Sequence, residues 1–239
     1  MERAKAGQVM TQRTYAVSPR RRQRQGGQEM IEFALMAIVY APLLLGTFML
    51  GMNMIKTIQA KNAIRDMADM LIHGADFSDG GYQTLAKELT TGLNLVSPTY
   101  SAGTQTRDDV GTTGDGIVWL SKVMWVGTGA NANNFVFAQR VRIGNTNLIT
   151  AQHASLLGNP GAVTYASDGS VNNYRTDTNA VLAAGPAAAM GSVWITPPSP
   201  RTPLVDGQFV YVAEGYFQTP QLSMGSVYGS QGVFSRYFF

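Results

Sequence analysis

The sequence predicts an α+β protein: a long N-terminal helix, first transmembrane and then amphipathic, carrying a small, mostly antiparallel β-sheet head. Three observations predict it. Residues 33–55 hold no charged side chain. From Ile55 to Leu71 apolar side chains recur at helical spacing. Beyond residue 97 glycine, threonine, asparagine and serine dominate, and short aromatic or β-branched runs stand between turn signals.

Composition narrows the class. Only 14% of the 239 residues are charged, well below the roughly 25% of an average soluble domain. Cysteine is absent, which excludes disulfides and thiolate metal sites. His73 and His153 are the two histidines, so a His-rich zinc site and the HExxH pattern are excluded. Neither a Walker loop nor a GxSxG elbow is present. With no base–nucleophile constellation, neither an enzyme nor a cofactor is expected. Seven of the twelve methionines lie between residues 30 and 70, the pattern of a lipid-facing or packed helix rather than of a metal-binding tract.

The formal charge of +3 is unevenly placed. Residues 1–27 carry seven of the 18 Lys and Arg residues and one acid, and the remainder has 11 bases against 14 acids. A basic arm directly before a membrane-length apolar run sets topology rather than binding nucleic acid, so no nucleic-acid partner is expected. The arm itself is polar, Arg- and Gln-rich and poor in core formers, which reads as a disordered leader.

Residues 33–55 span 23 positions, and a membrane-crossing helix needs about 20 at 1.5 Å rise. Pro42, Gly46 and Gly51 suit a bilayer better than water, because neighbouring groups there re-satisfy the freed carbonyls. Arginines before the span and sparse charge after it place the N-terminus in the cytoplasm and the body outside. In the amphipathic continuation Ile55, Ile58, Ile64, Met67, Met70 and Leu71 form one face, with Lys61, Arg65, Asp66 and Asp69 mostly on the other. Gly74 stops the helix, with His73 in its last turn. The predicted helix thus covers about residues 29–73, and a shorter one follows over 82–93.

Candidate strands cover residues 117–126, 135–143, 192–196, 208–217 and 233–239. Phe135, Phe137 and Gln139 alternate with Val136 as in a half-buried strand, and Tyr211, Tyr216, Phe217, Tyr237, Phe238 and Phe239 read as strand core. Residues 145–190 show no clear period and read as a long decorated loop with one helical turn around Leu182. The run TPPSPRTP at 196–203 is a stiff connector. The glycine-rich GTTGDG and GTGANANN lack the strand-to-helix setting of a phosphate loop and read as turns. Asp108, Asp109 and Asp115 cluster in sequence and have the oxygen chemistry for Ca²⁺, but their spacing matches no EF-hand, and a solvated loop is expected. The chain therefore divides into a basic cytoplasmic leader (1–27), a transmembrane and amphipathic helix (28–73) and an extracytoplasmic α+β head (74–239).

One residue stands out against this plan. Glu32 abuts the apolar run, and an ionisable group in hydrocarbon costs about 2.5–3.5 kcal/mol at mid-helix on insertion scales and less near the interface. A signal peptide would be cut after its apolar run at a small-x-small site, and GMNMIKTIQA matches that poorly. A cut before the apolar segment accounts for both Gly27 and Glu32.

The stretch GGQEMIEFALMAIVYAPLLLGTFMLGMNMIKTIQAKNAIRDMADML resembles the TadE/TadF-like minor pseudopilins of the Tad (tight adherence) type IV pilus system. In that family the processing site is a glycine, four residues, then glutamate and an aromatic. Here these are Gly27, the run from Gln28 to Ile31, Glu32 and Phe33. The resemblance is specific over residues 26–72 and looser in DGQFVYVAEGYF and VFSRYFF. It implies that a membrane-embedded prepilin peptidase cuts between Gly27 and Gln28, where a side chain at Gly27 would obstruct extended backbone in the peptidase. It further implies that Arg20, Arg21, Arg22 and Arg24 hold the leader at anionic lipid, at about 1 kcal/mol each. Glu32 then pairs with the new α-amine of Gln28 in a neighbouring subunit. The implied partners are the membrane, the peptidase, other pilin or pseudopilin subunits and the pilus assembly machinery. The implied location is the bacterial inner membrane or a surface pilus. The residues alone also admit an uncleaved signal anchor on a surface or adhesin protein, in which Glu32 sits in the headgroup layer at the helix N-terminus.

Overall fold

A computed structural model describes residues 22–95, 108–150, 152–166, 169–194, 204–218 and 232–239. The architecture is α+β, with a long N-terminal helix and a five-stranded sheet. Two compact units make up the chain, Met1–Leu50 and Gly51–Phe239.

Helix α1 runs Arg22–Ile72 and contains Pro42. It starts earlier than the predicted residue 29, so both Gly26 and Gly27 lie inside it. Pro42 has no N–H to donate to the carbonyl of Ile38. The helix ends as expected: Gly74 has φ +88°, its N–H donates to the Leu71 carbonyl at 3.2 Å, and that of Ala75 donates to Met70 at 2.9 Å. This is a Schellman closure, which uses glycine to adopt the left-handed conformation. Helix α2, Gly80–Leu89, is capped by the Asp79 carboxylate, which accepts from the Gly81 N–H at 2.6 Å. The predicted extension to residue 93 is a separate 3₁₀ turn, Thr91–Leu93, closed by Asn94 at φ 51°.

Strands β1 (Asp109–Gly111), β2 (Gly116–Val126), β3 (Asn134–Asn145), β4 (Phe209–Gln218) and β5 (Gly232–Phe238) form one sheet in the order β1-β3-β2-β4-β5. The sheet is mixed rather than mostly antiparallel. β2–β3, β2–β4 and β4–β5 are antiparallel, and β1 runs parallel to β3 with Asp109 opposite Ile143. β1 falls where a solvated loop was expected, and at three residues it is too short to carry a period. The predicted strand at 192–196 is also corrected. Residues 192–194 form the last turn of helix α3, Ala184–Trp194, and 195–196 lie outside the described residues, as does the whole 196–203 connector. The alanines at Ala187–Ala189 favour that helix, and it carries Val193 with it before the β-branched Ile195 and Thr196 are reached.

One face of the sheet is covered by α1 and α2. Ala60, Ile64, Met67 and Leu71 of α1, with Phe77 and Ala86, pack on Val118, Leu120, Val141, Ile143, Ala213 and Phe217. Gly215 permits this approach, since a Cβ there would stand 2.6 Å from Ile64 Cδ1. The predicted apolar face is therefore corrected at its start: Ile55 and Ile58 are about half exposed, and Ala60, Ala63 and Ala68 occupy the contact instead. Small side chains let a helix backbone lie close to a sheet. The β2–β3 register shifts between Lys122 and Val123, and such a bulge exchanges which side chains face each side. Beyond it Val123, Phe135 and Phe137 join Leu157, Val171, Leu182 and Met190 in a second core. Residues 135–138 are thus buried on both faces rather than half-buried. Of the expected aromatic core, Tyr216 and Phe217 are buried and Phe239 is exposed.

Candidate functional site

The residues singled out by the sequence lie on α1. Gly27, Gln28, Glu32 and Phe33 are all exposed, and Gln28 and Glu32, one turn apart, share a helix face. The Gly27–Gln28 peptide bond sits inside the helix, five residues beyond its start at Arg22, rather than at the end of the disordered leader the sequence predicts. Arg20 and Arg21 lie outside the described residues, and the backbone of Arg22 and Arg24 forms the first turn of α1. The segment is long and apolar enough to cross a membrane. Most of its large side chains are exposed, Phe33 at 76%, Ile38 at 70% and Leu50 at 71%. In water such a surface is unstable, since each fully exposed side chain of this kind forgoes about 1.5–3 kcal/mol of burial.

The head holds a second constellation, on the sheet face away from α1. Arg140 on β3, Glu214 on β4 and Arg236 on β5 project from that face, and Glu214 is wholly shielded from solvent. Its Oε1 accepts from Arg236 Nε at 2.7 Å and from the Leu156 N–H at 2.8 Å. Its Oε2 accepts from Ser155 Oγ and lies 3.6 Å from Arg140 Nη1. Arg140 Nη1 also donates to Ser121 Oγ, and Nη2 to the Gly158 carbonyl at 2.6 Å. Burial lowers the Arg140 guanidinium to about 10, against the opposing pull of Glu214, so it stays protonated at neutral pH. Nearby, the His153 ring stacks on Tyr216 with centroids 3.9 Å apart, and burial raises the Tyr216 phenol.

The three aspartates are not gathered. Asp108 accepts from Arg142 Nη2 at 2.7 Å, Asp109 is buried against Lys87 of α2, and Asp115 accepts from Asn94 Nδ2 at 3.0 Å. Among the described residues no cluster of His, Asp or Glu is placed to hold a metal ion. The aspartates instead tie β1 and its flanks to α2 and β3, which corrects the solvated-loop expectation.

Arg140 and Glu214 escaped the sequence reading, although a signal existed. Arg140 lies with Arg142 in the largely apolar run FVFAQRVRI, Glu214 is the one charge in FVYVAEGYF, and buried charges persist only when paired. That they pair with each other needed the β3-β2-β4 order. Comparison with protein-family models, with curated proteins and with solved structures finds no match to this chain.

Proposed function

We propose that this chain is a non-enzymatic, membrane-anchored, pilin-like subunit of the TadE/TadF minor pseudopilin type, processed between Gly27 and Gln28 and assembled with other pilin-like subunits. The observation that carries the reading is the bare apolar face of α1 over residues 27–50, with Glu32 as a carboxylate on it. Hydrocarbon satisfies the apolar side chains. The carboxylate needs a cation, and the α-amine released at Gln28 of a neighbouring subunit supplies one. Removing one partner of a desolvated pair typically costs about 3–5 kcal/mol, enough to make assembly depend on the cut. The head then sits outside the cytoplasmic membrane, and the basic leader is left inside.

The helical state of Gly26 and Gly27 favours a second reading, an uncleaved signal anchor on a surface or adhesin protein. The two glycines also answer it, because each weakens a helix by about 1 kcal/mol relative to alanine. The bond to be cut therefore lies in a weakened stretch of α1, which eases its unwinding into a peptidase. Mass spectrometry of the chain from its native membrane decides between the readings: a first residue of Gln28 is expected, and a chain that keeps residues 1–27 overturns the pilin reading.

A further inference from the structure

Beside the buried ion network, a cleft of about 220 Å³ opens between β3 and the following loop, lined by Arg140, Arg142, Asn159, Pro160, Gly161 and Tyr165. Arg140 and Arg142 stand two apart on β3 and share a face of the strand. Three guanidiniums, of Arg140, Arg142 and Arg236, are balanced by two carboxylates, those of Glu214 and Asp108. Glu214 lies closer to Arg236 than to Arg140, at 2.7 Å against 3.6 Å. Arg140, 1% exposed, is therefore the cation left short of negative charge. Its buried Nε–H meets no acceptor among the described residues, and a buried donor left unpaired is destabilising. Arg142 commits Nε and Nη2 to Asp108 and presents its guanidinium to the cleft it lines.

We propose that this cleft binds the carboxylate of a small acid between Arg140 and Arg142, supplying the negative charge that the network lacks. A planar carboxylate matches the guanidinium fork. The volume, about seven water molecules at 30 Å³ each, matches a short mono- or dicarboxylate. The site lies entirely in the head and is independent of how α1 is processed.

The test uses the full-length chain in detergent micelles, with malonate as probe and sodium chloride at matched ionic strength as reference. At ten times its Kd, malonate should raise the melting temperature by about 3–6 °C, in a saturable manner. The shift should vanish in Arg142→Gln, which removes a cation. It should vanish too in Asn159→Trp, which fills the mouth from an exposed position and leaves the ion network whole. If Arg142→Gln fails to fold, Asn159→Trp alone decides. A response equal to that of chloride, a shift retained in Asn159→Trp, or tighter binding of inorganic phosphate than of malonate overturns the proposal.

Discussion

Glu214 of β4 and Arg236 of β5 face one another across the sheet, with 2.7 Å between Oε1 and Nε and the carboxylate fully out of solvent. This contact joins the edge strand to the centre of the head. The Leu156 N–H and Ser155 hydroxyl bring the long β3–α3 connection to the same carboxylate. One side chain thus ties three stretches of chain that are distant in sequence.

Replacing it should be severe. Glu214→Ala leaves Arg140 and Arg236 without their shared anion, and a loss of about 3–5 kcal/mol is expected. Urea unfolding of the full chain in micelles, followed by tryptophan fluorescence, measures it. A loss below about 1 kcal/mol would show that the network contributes little.

The face of α1 used by the head is tested by two isoleucines. Ile64 is fully buried and Ile58 about half exposed. Ile64→Ala should destabilise the head by about 2–5 kcal/mol, and Ile58→Ala should stay within about 0.5 kcal/mol, as exposed substitutions do. The same unfolding assay reads both, and equal effects would contradict the packing.

Asp206 gives the head an acid-sensitive clasp. It accepts from the Gly127 N–H at 2.9 Å and from Thr128 Oγ1 at 3.2 Å, and pairs with Arg175 at 2.8 Å. It thereby joins the β2–β3 turn to the segment around Arg175. The Gly127 N–H above all, aided by Arg175, lowers its carboxyl below the ordinary value. A depressed carboxyl stabilises the fold above the unfolded-state pKa, near 3.9, and that contribution fades as pH falls through the folded-state pKa. In Asp206→Asn the fall in melting temperature on acidification should be shallower than in the natural chain, with the two curves converging at the acid end. Parallel curves from pH 7 downward would rule the clasp out.

If the chain is processed and assembled as proposed, two positions on α1 separate the two steps. Gly27→Val should abolish the cut and leave a slower-migrating band on gels, because the peptidase must approach the backbone there. Glu32→Ala should be cut normally yet co-purify poorly with filament subunits, because the amine of Gln28 loses its partner. An unmoved band in the first variant removes the processing site, and undiminished co-purification in the second removes the role of Glu32.

Much of the fold was legible because its determinants are local. The apolar run, the helical spacing through Leu71 and the Gly74 stop each depend on residues within a turn or two, and α1 follows them. Four strands announced themselves by aromatic and β-branched content, and β2–β5 occupy those stretches. β1 did not, because three residues have no period and its partner lies more than thirty residues away, Asp109 opposite Ile143. The 192–196 stretch failed differently: Val193, Ile195 and Thr196 suggest a strand, but the preceding alanines have already begun a helix that runs through Trp194.

The candidate sites divide the same way. That Glu32 stands at the edge of an apolar helix was settled by order along the chain alone, since charge and hydropathy are properties of the residues themselves. That Arg140, Glu214 and Arg236 share one buried network, with a cleft beside Arg142, was settled only by strand order and by the β2–β3 bulge. Which charges meet inside a sheet depends on register between distant segments, and no local pattern records it.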